Sequence, residues 1–159
     1  MKVVVTGGAG FIGSCIVRKL NDMGIEDIYI VDNVNTSEKW MNLRNKKYIR
    51  YFHKDEFLKE LEGLDDISCI IHMGACSSTT EQDFDYLYKN NYLYTIALWK
   101  YCAQHGISFI YASSAATYGA GELGFDDKMD IKKLMPLNRY GYSKHIFDLW
   151  AEKQTDRPR

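Results

Sequence analysis

A glycine-rich loop near the start of the chain is the feature that most constrains its fold. The loop runs from Thr6 to Gly13 (TGGAGFIG), after a run of three valines and before a segment with apolar residues at helical spacing. A second apolar run, Ile28–Val31, ends at Asp32, nineteen residues after the last glycine of the loop. A strand, a glycine turn, a helix and a second strand in this order predict a β-α-β unit over residues 2–32.

Each glycine of the loop has a separate physical task in such a unit. Gly7 permits a tight turn off the strand, Gly10 lets backbone approach a pyrophosphate, and Gly13 allows the helix to pack closely on the strand. The positive end of the helix dipole then faces the phosphates. Asp32 stands where a carboxylate accepts hydrogen bonds from the adenosine ribose. The pattern favours a nicotinamide dinucleotide cofactor over its alternative, a glycine-rich turn without a ligand.

The residues after the second strand bear on the choice between NAD and NADP. A carboxylate at Asp32 repels a 2′-phosphate and by itself favours NAD. Asn33 follows it directly, and Lys39 lies seven residues further on. A lysine at this position either neutralises a phosphate or is a solvated surface charge. The residues alone leave both cofactors open.

Apolar and turn-forming stretches alternate along the rest of the chain. Short strands separated by helices predict a parallel sheet with helices on both faces, an α/β doubly wound, Rossmann-like fold forming one domain over residues 1–159. The chain ends at Arg159, where such a sheet normally continues, so we expect the last strands to be missing. The predicted elements are strands at Cys69–Met73 and Ser108–Ala112, a short edge strand within Lys46–Tyr51, and helices at Phe84–Gln104 and Tyr140–Lys153.

Composition and charge exclude several functional classes. Hydrophobic residues make up 46% of the chain, charged residues 26%, and the net charge is −1. These values allow a buried core and argue against bulk electrostatic binding to nucleic acid or a membrane surface. We find no signal peptide and no apolar stretch of the roughly 20 residues that a membrane span needs, so a cytoplasmic location is expected. The four cysteines match no zinc or redox spacing and are expected to be free, buried thiols: Cys15, Cys69, Cys76 and Cys102.

Three residues later in the chain form a candidate catalytic set. Ser114 ends a predicted strand, and Tyr140 and Lys144 begin the last helix. Tyr140 and Lys144 are four residues apart and share a helical face, where an ammonium stabilises the phenolate and lowers the pKa of the tyrosine. Tyr140 then acts as an acid or base near neutral pH, with Ser114 bonded to the same substrate oxygen. Tyr118 and Tyr142 are competing tyrosines.

The loop Gly74–Glu81 follows a central strand at its carboxyl end, the edge at which open α/β sheets bind ligands. Its small residues allow backbone to pass close to a cofactor, although its Ser, Thr and Glu residues also fit a helix N-cap. Asn90 and Asn91, in the next helix, are expected to bond backbone between strands or to lie near the nicotinamide. His72 and His145 have no partners at metal-ligand spacing, so we expect packing or surface roles and no metal site.

Six segments together resemble one enzyme family: VTGGAGFIGS, VDN, HMGACSSTTE, NNY, YASSAATYG and YGYSK. They resemble the extended short-chain dehydrogenases that act on sugar nucleotides, the NAD-dependent epimerase/dehydratase family. Within it they are most similar to the ADP-glyceromanno-heptose 6-epimerases of lipopolysaccharide inner-core synthesis. The resemblance runs from about Met1 to Asp148. Its most specific parts are Gly74–Glu81 and Ala112–Gly119, whereas the glycine and Tyr-Lys motifs indicate only the superfamily.

The resemblance implies a tightly held NADP, with NAD as the alternative, an ADP-heptose substrate, and a homo-oligomer. It implies that hydride leaves C6 of the heptose for the nicotinamide and returns to the opposite face of the bound carbonyl, with Ser114, Tyr140 and Lys144 as the catalytic residues. The cofactor-binding residues predicted in this way are Gly7, Gly10, Phe11, Ile12, Gly13, Asp32, Asn33, Lys39, Lys54, Met73, Gly74, Ala75, Cys76, Ser77, Asn90, Tyr140 and Lys144.

Two departures from the family affect this interpretation. Relatives continue into a C-terminal substrate domain, so the chain is expected to be a partial enzyme with little or no turnover by itself. Met73 also stands where relatives often carry an acidic residue. One alternative is a 4-epimerase or 4,6-dehydratase of the same superfamily, although dehydratases tend to have an Asp-Glu pair where this chain has Ala115-Ala116-Thr117. The other is a cofactor-binding module or fragment without activity.

Overall fold

A computed structural model describes all residues from 1 to 159. The chain forms two compact units. The first consists of Met1–Gly74, Tyr101–Tyr111 and Pro158–Arg159, and the second of Ala75–Lys100 and Ala112–Arg157. The first unit contains the sheet and the glycine loop, and the second contains the three candidate catalytic residues.

The first unit is built on a five-stranded sheet with the strand order β3-β2-β1-β4-β5. All four strand pairs are parallel, which confirms the predicted α/β class. The chain moves outward from β1 to β3 and then crosses back to β4 on the other side of β1. Ligands of open α/β sheets bind where the order reverses in this way. The strands are Lys2–Thr6 (β1), Ile28–Asp32 (β2), Arg50–His53 (β3), Ile67–His72 (β4) and Ser108–Tyr111 (β5).

The core of this unit lies on the two central strands β1 and β2. Val3, Val5, Ile28 and Ile30 are buried and form one cluster with Val17 of the first helix. Every residue of β2 is buried, as expected for a parallel strand covered on both faces. The β-branched residues that predicted these strands are therefore the ones that attach the first helix to the sheet.

The helices predicted after the glycine loop, over Phe84–Gln104 and at Tyr140–Lys153, lie close to their predicted positions, whereas the short helix at Lys54–Glu60 was not predicted. The helices are Phe11–Asp22 (α1), Lys54–Glu60 (α2), Phe84–Leu87 (α3), Tyr94–His105 (α4) and Arg139–Glu152 (α5). The predicted helix over Phe84–Gln104 is present but contains a π-helical segment, Tyr88–Leu93. Such segments are rare and frequently occur at functional sites. None of the helices combines the length and hydropathy that a membrane span requires.

The predicted edge strand within Lys46–Tyr51 is shifted towards the carboxyl terminus. The strand begins only at Arg50, because the backbone at Lys47 is bonded elsewhere. The Asn21 side chain accepts from the Lys47 amide (2.8 Å) and donates to the Lys47 carbonyl (2.9 Å). Both groups are thereby removed from the sheet ladder.

The interpretation of Gly74–Glu81 as a helix N-cap is wrong. The cap of α3 is Asp83, whose carboxylate accepts from the Tyr86 amide at 3.0 Å. The Glu81 carboxylate in turn accepts from the Asp83 amide at 2.9 Å. The hydroxyl-rich part of the loop is therefore not required to start the helix.

The four cysteines are free, but the expected burial holds fully only for Cys102. Cys69 and Cys76 are half-buried, and Cys15 is exposed on α1. Burial raises the pKa of the Cys102 thiol to about 12, with a smaller contribution from Cys69. A thiol with so high a pKa is not a nucleophile near neutral pH.

The most restrictive glycine is Gly13, because a Cβ built there would overlap the Gly7 carbonyl. We expect Gly13→Ala to lower the free energy of unfolding by about 2 kcal/mol or more, since neither backbone segment has room to move. Urea unfolding measures the change. Gly63→Ala is the matched control, because nothing lies within 4 Å of a Cβ at Gly63. Equal effects at the two positions would contradict the close packing of α1 on the loop.

Candidate active site

The glycine loop is closed by backbone contacts that leave no room for side chains. Gly7 has a φ of +66°, and a Cβ there would lie 2.8 Å from the amide nitrogen of Gly74. Gly13 packs against the turn as described above. At Gly10, in contrast, a Cβ would meet only the Gly7 carbonyl oxygen, at 3.1 Å. Gly7 and Gly13 therefore close the turn, whereas the space in front of Gly10 is open.

The start of α1 offers an anion-binding surface. Its N-cap is Gly10, which forms no side-chain hydrogen bond, and its first turn contains no acidic residue. The side chains of Phe11 and Ile12 are 83% and 58% exposed. Uncapped amides at a helix N-terminus, together with the helix dipole, attract phosphate groups. The loop therefore fits the pyrophosphate of a dinucleotide.

Asp32 lies at the end of β2 and is buried, with both carboxylate oxygens bonded. Oδ2 accepts from the Ala9 amide of the glycine loop at 2.9 Å. Oδ1 accepts from the Asn33 amide at 2.7 Å and from the Lys39 ammonium at 2.6 Å. Lys39 is therefore an ion-pair partner of Asp32, and not an isolated surface charge.

Two further predicted residues follow neighbouring strands at the same edge of the sheet. Asp32 pairs in register with His53, so Asn33 and Lys54 each come one residue after a paired position. His53 Nε2 lies 3.3 Å from Asn33 Oδ1, and the Lys54 ammonium bonds Asp55 at 2.6 Å. This edge of the first unit thus holds two lysines, of which Lys39 pairs with the buried carboxylate of Asp32 and Lys54 with the carboxylate of Asp55.

Thr6 connects the end of β1 to the end of β4. Its Oγ1 accepts from the Gly74 amide at 3.0 Å and lies 2.5 Å from His72 Nδ1. Its carbonyl accepts from the Met73 amide at 3.1 Å. His72 is buried and bonded, as its interpretation as a packing residue requires. Met73 and Gly74 are held beside the glycine loop through these bonds.

In the second unit, the loop residue Cys76 is bonded through its backbone. Its amide donates to Asn91 Oδ1 at 2.8 Å, and its carbonyl accepts from Asn91 Nδ2 at 2.9 Å. Asn90, the residue chosen from the sequence as a cofactor contact, is half-buried, and its side chain donates to the Tyr86 carbonyl at 2.8 Å. The side chain of Asn91 thus contacts the loop through both polar atoms of its amide.

Ser114 begins a 3₁₀-helix, Ala115–Tyr118. Its Oγ accepts from the Ala116 amide at 3.1 Å, which fixes the side-chain rotamer and leaves the hydroxyl proton available to an acceptor outside the chain. Ser113, the other serine of the pair, donates to the Asp148 carboxylate at 2.6 Å. The two serines are thus distinguished by their partners, and only Ser114 retains a hydroxyl proton for a ligand.

Tyr140 stands in the first turn of α5, which is capped by Asn138. The Asn138 side chain accepts from the Gly141 amide at 2.7 Å. A Cβ at Gly141 would lie 2.7 Å from the Ala116 carbonyl oxygen. The absence of a side chain at Gly141 therefore lets the turn that carries Tyr140 lie directly against the 3₁₀-helix that begins after Ser114.

Lys144 lies one turn further along α5 and is almost completely buried. Its ammonium donates to the Ala112 carbonyl at 2.7 Å. Burial lowers the pKa of Lys144 from 10.5 to about 8, and the Asp148 carboxylate opposes this shift. The side chain is thus still mostly protonated near neutral pH, and its charge is poorly solvated. A charge in that state interacts strongly with a neighbouring phenolate.

The competing tyrosines are less suited to proton transfer. The Tyr118 phenol donates to the Asp127 carboxylate at 2.8 Å, and this hydrogen bond raises the pKa of Tyr118. Tyr142 is 49% exposed, and its ring packs on Phe84 with a centroid distance of 5.6 Å. Tyr142 also lies two residues from Tyr140, on a different face of α5. The surroundings of Tyr118 and Tyr142 therefore favour Tyr140 as the candidate for proton transfer.

The chain contains no group of three or more His, Cys, Asp or Glu residues arranged to hold a metal ion. His145 is buried in the second unit, and its Nδ1 has no hydrogen-bond partner. Burial lowers its pKa, and Asp148 opposes the shift. The histidine is thus in its neutral form near neutral pH.

Residues 3–157 match the model of the NAD dependent epimerase/dehydratase family. The chain belongs to this family. The ADP-L-glycero-D-manno-heptose-6-epimerase of Fusobacterium nucleatum is 54% identical over 163 aligned residues, which cover 99% of this chain and 49% of that protein. The chain thus spans about half the length of the curated relatives it matches.

Solved structures of the family share the fold. The Helicobacter pylori ADP-L-glycero-D-manno-heptose-6-epimerase superposes with a TM-score of 0.80 at 26% identity, covering 98% of this chain and 51% of that one. The UDP-glucuronic acid 4-epimerase of Bacillus cereus, solved with NAD, gives a TM-score of 0.77 at 25% identity, over 96% of this chain and 53% of that one. The predicted Rossmann-like fold is confirmed.

Sequence reasoning missed several residues that hold the site in shape. Thr6 and Asn42 support the first unit, where Asn42 donates to the Ala9 carbonyl at 2.8 Å. Ser143 supports the second. These are common polar residues whose partners are distant in sequence. Asn91 was named from the sequence together with Asn90, and its spacing from Leu87 and Leu98 is that of a buried helical stripe.

The buried ammonium of Lys144 predicts a pH dependence of stability. Between about pH 8 and pH 10.5 the folded protein has lost this proton while the unfolded chain still holds it, so stability rises with pH across this window. A Lys144→Met variant lacks that gain. We expect the difference in unfolding free energy between wild type and variant to move by roughly 2–3 kcal/mol in favour of wild type from about pH 7 to pH 10.5.

Urea unfolding at the two pH values measures this difference. Lys153→Met is the matched control, because Lys153 follows the same helix and is exposed. The Lys153→Met variant should differ from wild type by the same amount at both pH values. A Lys144→Met difference that does not change with pH would show that the lysine is not desolvated.

Proposed function

We propose that this chain forms the cofactor-binding and catalytic part of an enzyme that epimerises ADP-D-glycero-D-manno-heptose at C6, with NADP as the bound cofactor. The single observation that carries the proposal is the arrangement in the second unit. There the turn of α5 that carries Tyr140 lies against the 3₁₀-helix begun by Ser114, and Lys144 lies one turn further along the helix with a buried ammonium. The 54% identity to an enzyme of that name supports the substrate.

The dinucleotide is assigned to the residues already described. The uncapped amides at the start of α1 suit the pyrophosphate, and Asp32 with its neighbours suits the adenosine ribose. Lys39 and Lys54 supply positive charge where a 2′-phosphate of NADP extends beyond that ribose. The backbone of residues 73–77 and the side chains of Asn90, Tyr140 and Lys144 complete the proposed contacts. When bound, the nicotinamide accepts a hydride and later returns it.

Side chains of this protein transfer the proton of the C6 hydroxyl. Tyr140, as phenolate, takes the proton of the C6 hydroxyl while C6 gives up its hydride, so that the carbon–oxygen single bond becomes a carbonyl. Ser114 donates a hydrogen bond to the same oxygen and holds it in place. After the carbonyl has turned its other face, hydride returns to C6 and Tyr140 gives the proton back to the oxygen. Lys144 stabilises the phenolate throughout by its charge.

The alternative reaction of the superfamily is supported less well. A 4,6-dehydratase needs a further acid and base close to Ser114. The residues after Ser114 are Ala115, Ala116 and Thr117, and Thr117 Oγ1 donates back to the Ser114 carbonyl at 2.7 Å. No carboxylate stands in this stretch. A 4-epimerase has the same three catalytic residues, so substrate turnover must distinguish it.

A chimaera tests the role of Tyr140 where the rest of the enzyme is supplied. Residues 1–159 replace the matching part of the Fusobacterium nucleatum relative. We expect Tyr140→Phe to lower turnover of ADP-heptose by about 10²–10⁴-fold, because proton transfer is lost, while cofactor binding changes little. Tyr142→Phe is the matched control and should keep full activity. Turnover is followed by chromatographic separation of the two epimers, and unchanged turnover in Tyr140→Phe would refute the assignment.

The cofactor preference is tested at Lys39 in the chain of residues 1–159. We expect Lys39→Met to weaken NADP binding by about tenfold, because one charge-assisted hydrogen bond to phosphate is lost, and to leave NAD binding nearly unchanged. Titration with each reduced cofactor, followed by its fluorescence, gives the two dissociation constants. Lys59→Met, at an exposed position on α2, is the control. An equal loss of affinity for both cofactors would refute the assignment of Lys39 to the 2′-phosphate site.

A further inference from the structure

The π-helical segment Tyr88–Leu93 carries Asn91 into the interior of the second unit. Asn91 is only 1% exposed, whereas its neighbour Asn90 is half-buried. Its carbonyl accepts from Thr95 Oγ1 at 2.6 Å. A π-helical turn inserts an extra residue and thereby changes the direction of the side chains that follow. The segment thus places a polar side chain where a regular amphipathic helix places an apolar one.

The side-chain amide of Asn91 is fully engaged with two other segments. Oδ1 accepts from the Cys76 amide at 2.8 Å. Nδ2 donates to the Cys76 carbonyl at 2.9 Å and to Ser143 Oγ at 3.0 Å. Two bonds to the amide and carbonyl of one residue act like a short β-bridge and fix the backbone on both sides of Cys76. The hydrogen bonds of the Cys76 amide and carbonyl thus come from a side chain and not from a neighbouring strand.

The third bond of Asn91 reaches the helix that carries the candidate catalytic residues. Ser143 is fully buried, and its Oγ donates to the Tyr140 carbonyl at 2.7 Å. Because that hydroxyl proton is used for Tyr140, Ser143 Oγ must accept from Asn91. One amide therefore holds both the loop at Cys76 and the first turn of α5.

We propose that Asn91 is a positioning residue for the nicotinamide half of the cofactor. Its amide holds the backbone at Cys76 in the conformation that receives the dinucleotide, and it fixes that loop relative to the turn of α5 that carries Tyr140. This inference rests on the proposed function, since it requires that a dinucleotide contacts residues 75–77. Asn91 itself touches neither cofactor nor substrate.

Two substitutions separate positioning from simple loss of stability. Asn91→Asp keeps the shape and the acceptor for the Cys76 amide, but its carboxylate cannot donate to the Cys76 carbonyl or to Ser143. Thr95→Val is the control, because it removes a buried hydrogen bond in the same helical region and leaves the Asn91 amide in place. Ser143→Ala is a milder test that keeps both Asn91 bonds to Cys76 and removes the bond from the Asn91 amide to Ser143, together with the Ser143 bond to the Tyr140 carbonyl. Circular dichroism and urea unfolding establish which variants fold.

The first measurement is the dissociation constant of NADPH for the chain of residues 1–159 at about pH 5 and about pH 8. We expect Asn91→Asp to weaken binding by about tenfold at the higher pH. At the lower pH part of the affinity returns, because a protonated carboxyl again donates one hydrogen bond. Thr95→Val should bind NADPH like wild type at both pH values, even if it unfolds more easily. Ser143→Ala should show a smaller loss than Asn91→Asp.

The second measurement is hydrogen exchange at the Cys76 amide, which needs no cofactor. We expect Asn91→Ala to accelerate this exchange at least about tenfold, whereas Thr95→Val leaves it unchanged. Folded Asn91→Asp and Ser143→Ala variants that bind NADPH as tightly as wild type would overturn the inference and leave the proposed function intact. A wild-type chain that binds neither NADPH nor NADH, with Cys76 still protected, would instead overturn the proposed function and this inference with it.

Discussion

The first unit depends on the close approach of three backbone segments at the carboxyl end of β1. Gly7 turns the chain against Gly74, and Gly13, in the first turn of α1, packs against the Gly7 carbonyl. Side chains at these positions would push the helix away from the sheet and the end of β4 away from the loop. Since the amides at the start of α1 then face open space, the same packing that closes the fold also creates an anion-binding surface. The stability of the loop and the exposure of these amides are thus set by the same contacts.

The buried charges of Asp32 and Lys144 differ in how far other groups of the protein compensate them. Asp32 is buried with three hydrogen-bond partners, two backbone amides and one lysine. Its charge is therefore compensated within the protein. Lys144 is buried with one backbone carbonyl as its hydrogen-bond partner and a carboxylate one turn away. Its charge is only partly compensated, and a group in that state is stabilised by any negative charge that forms beside it.

The fold was predictable from the sequence because its signals are local. The valines of β1, the glycine turn and Asp32 define the β-α-β unit within about thirty residues, and each later strand is a short apolar run. The features that differ from the prediction depend on residues that the sequence pattern did not identify as partners. Asn21 removes Lys47 from the edge strand. Asp83 caps the helix that begins at Phe84, in place of the predicted cap within Gly74–Glu81. Asn90 and Asn91 are adjacent in the π-helical segment Tyr88–Leu93, and both were candidates from the sequence, but only Asn91 is fully buried.

The pairing of Asp32 with Lys39 changes how the acidic residue after β2 bears on cofactor choice. A free carboxylate at this position repels a 2′-phosphate, and that repulsion is the basis for associating the acid with NAD. Here the carboxylate already accepts a hydrogen bond from an ammonium at 2.6 Å, so the pair presents almost no net charge to the ribose. The Lys39 side chain is 38% exposed. The choice between NADP and NAD then depends on whether Lys39 gains more interaction free energy from a phosphate than it loses at Asp32. An ammonium has three donors and can serve both partners at once, so an acid in this position is compatible with NADP whenever a lysine accompanies it.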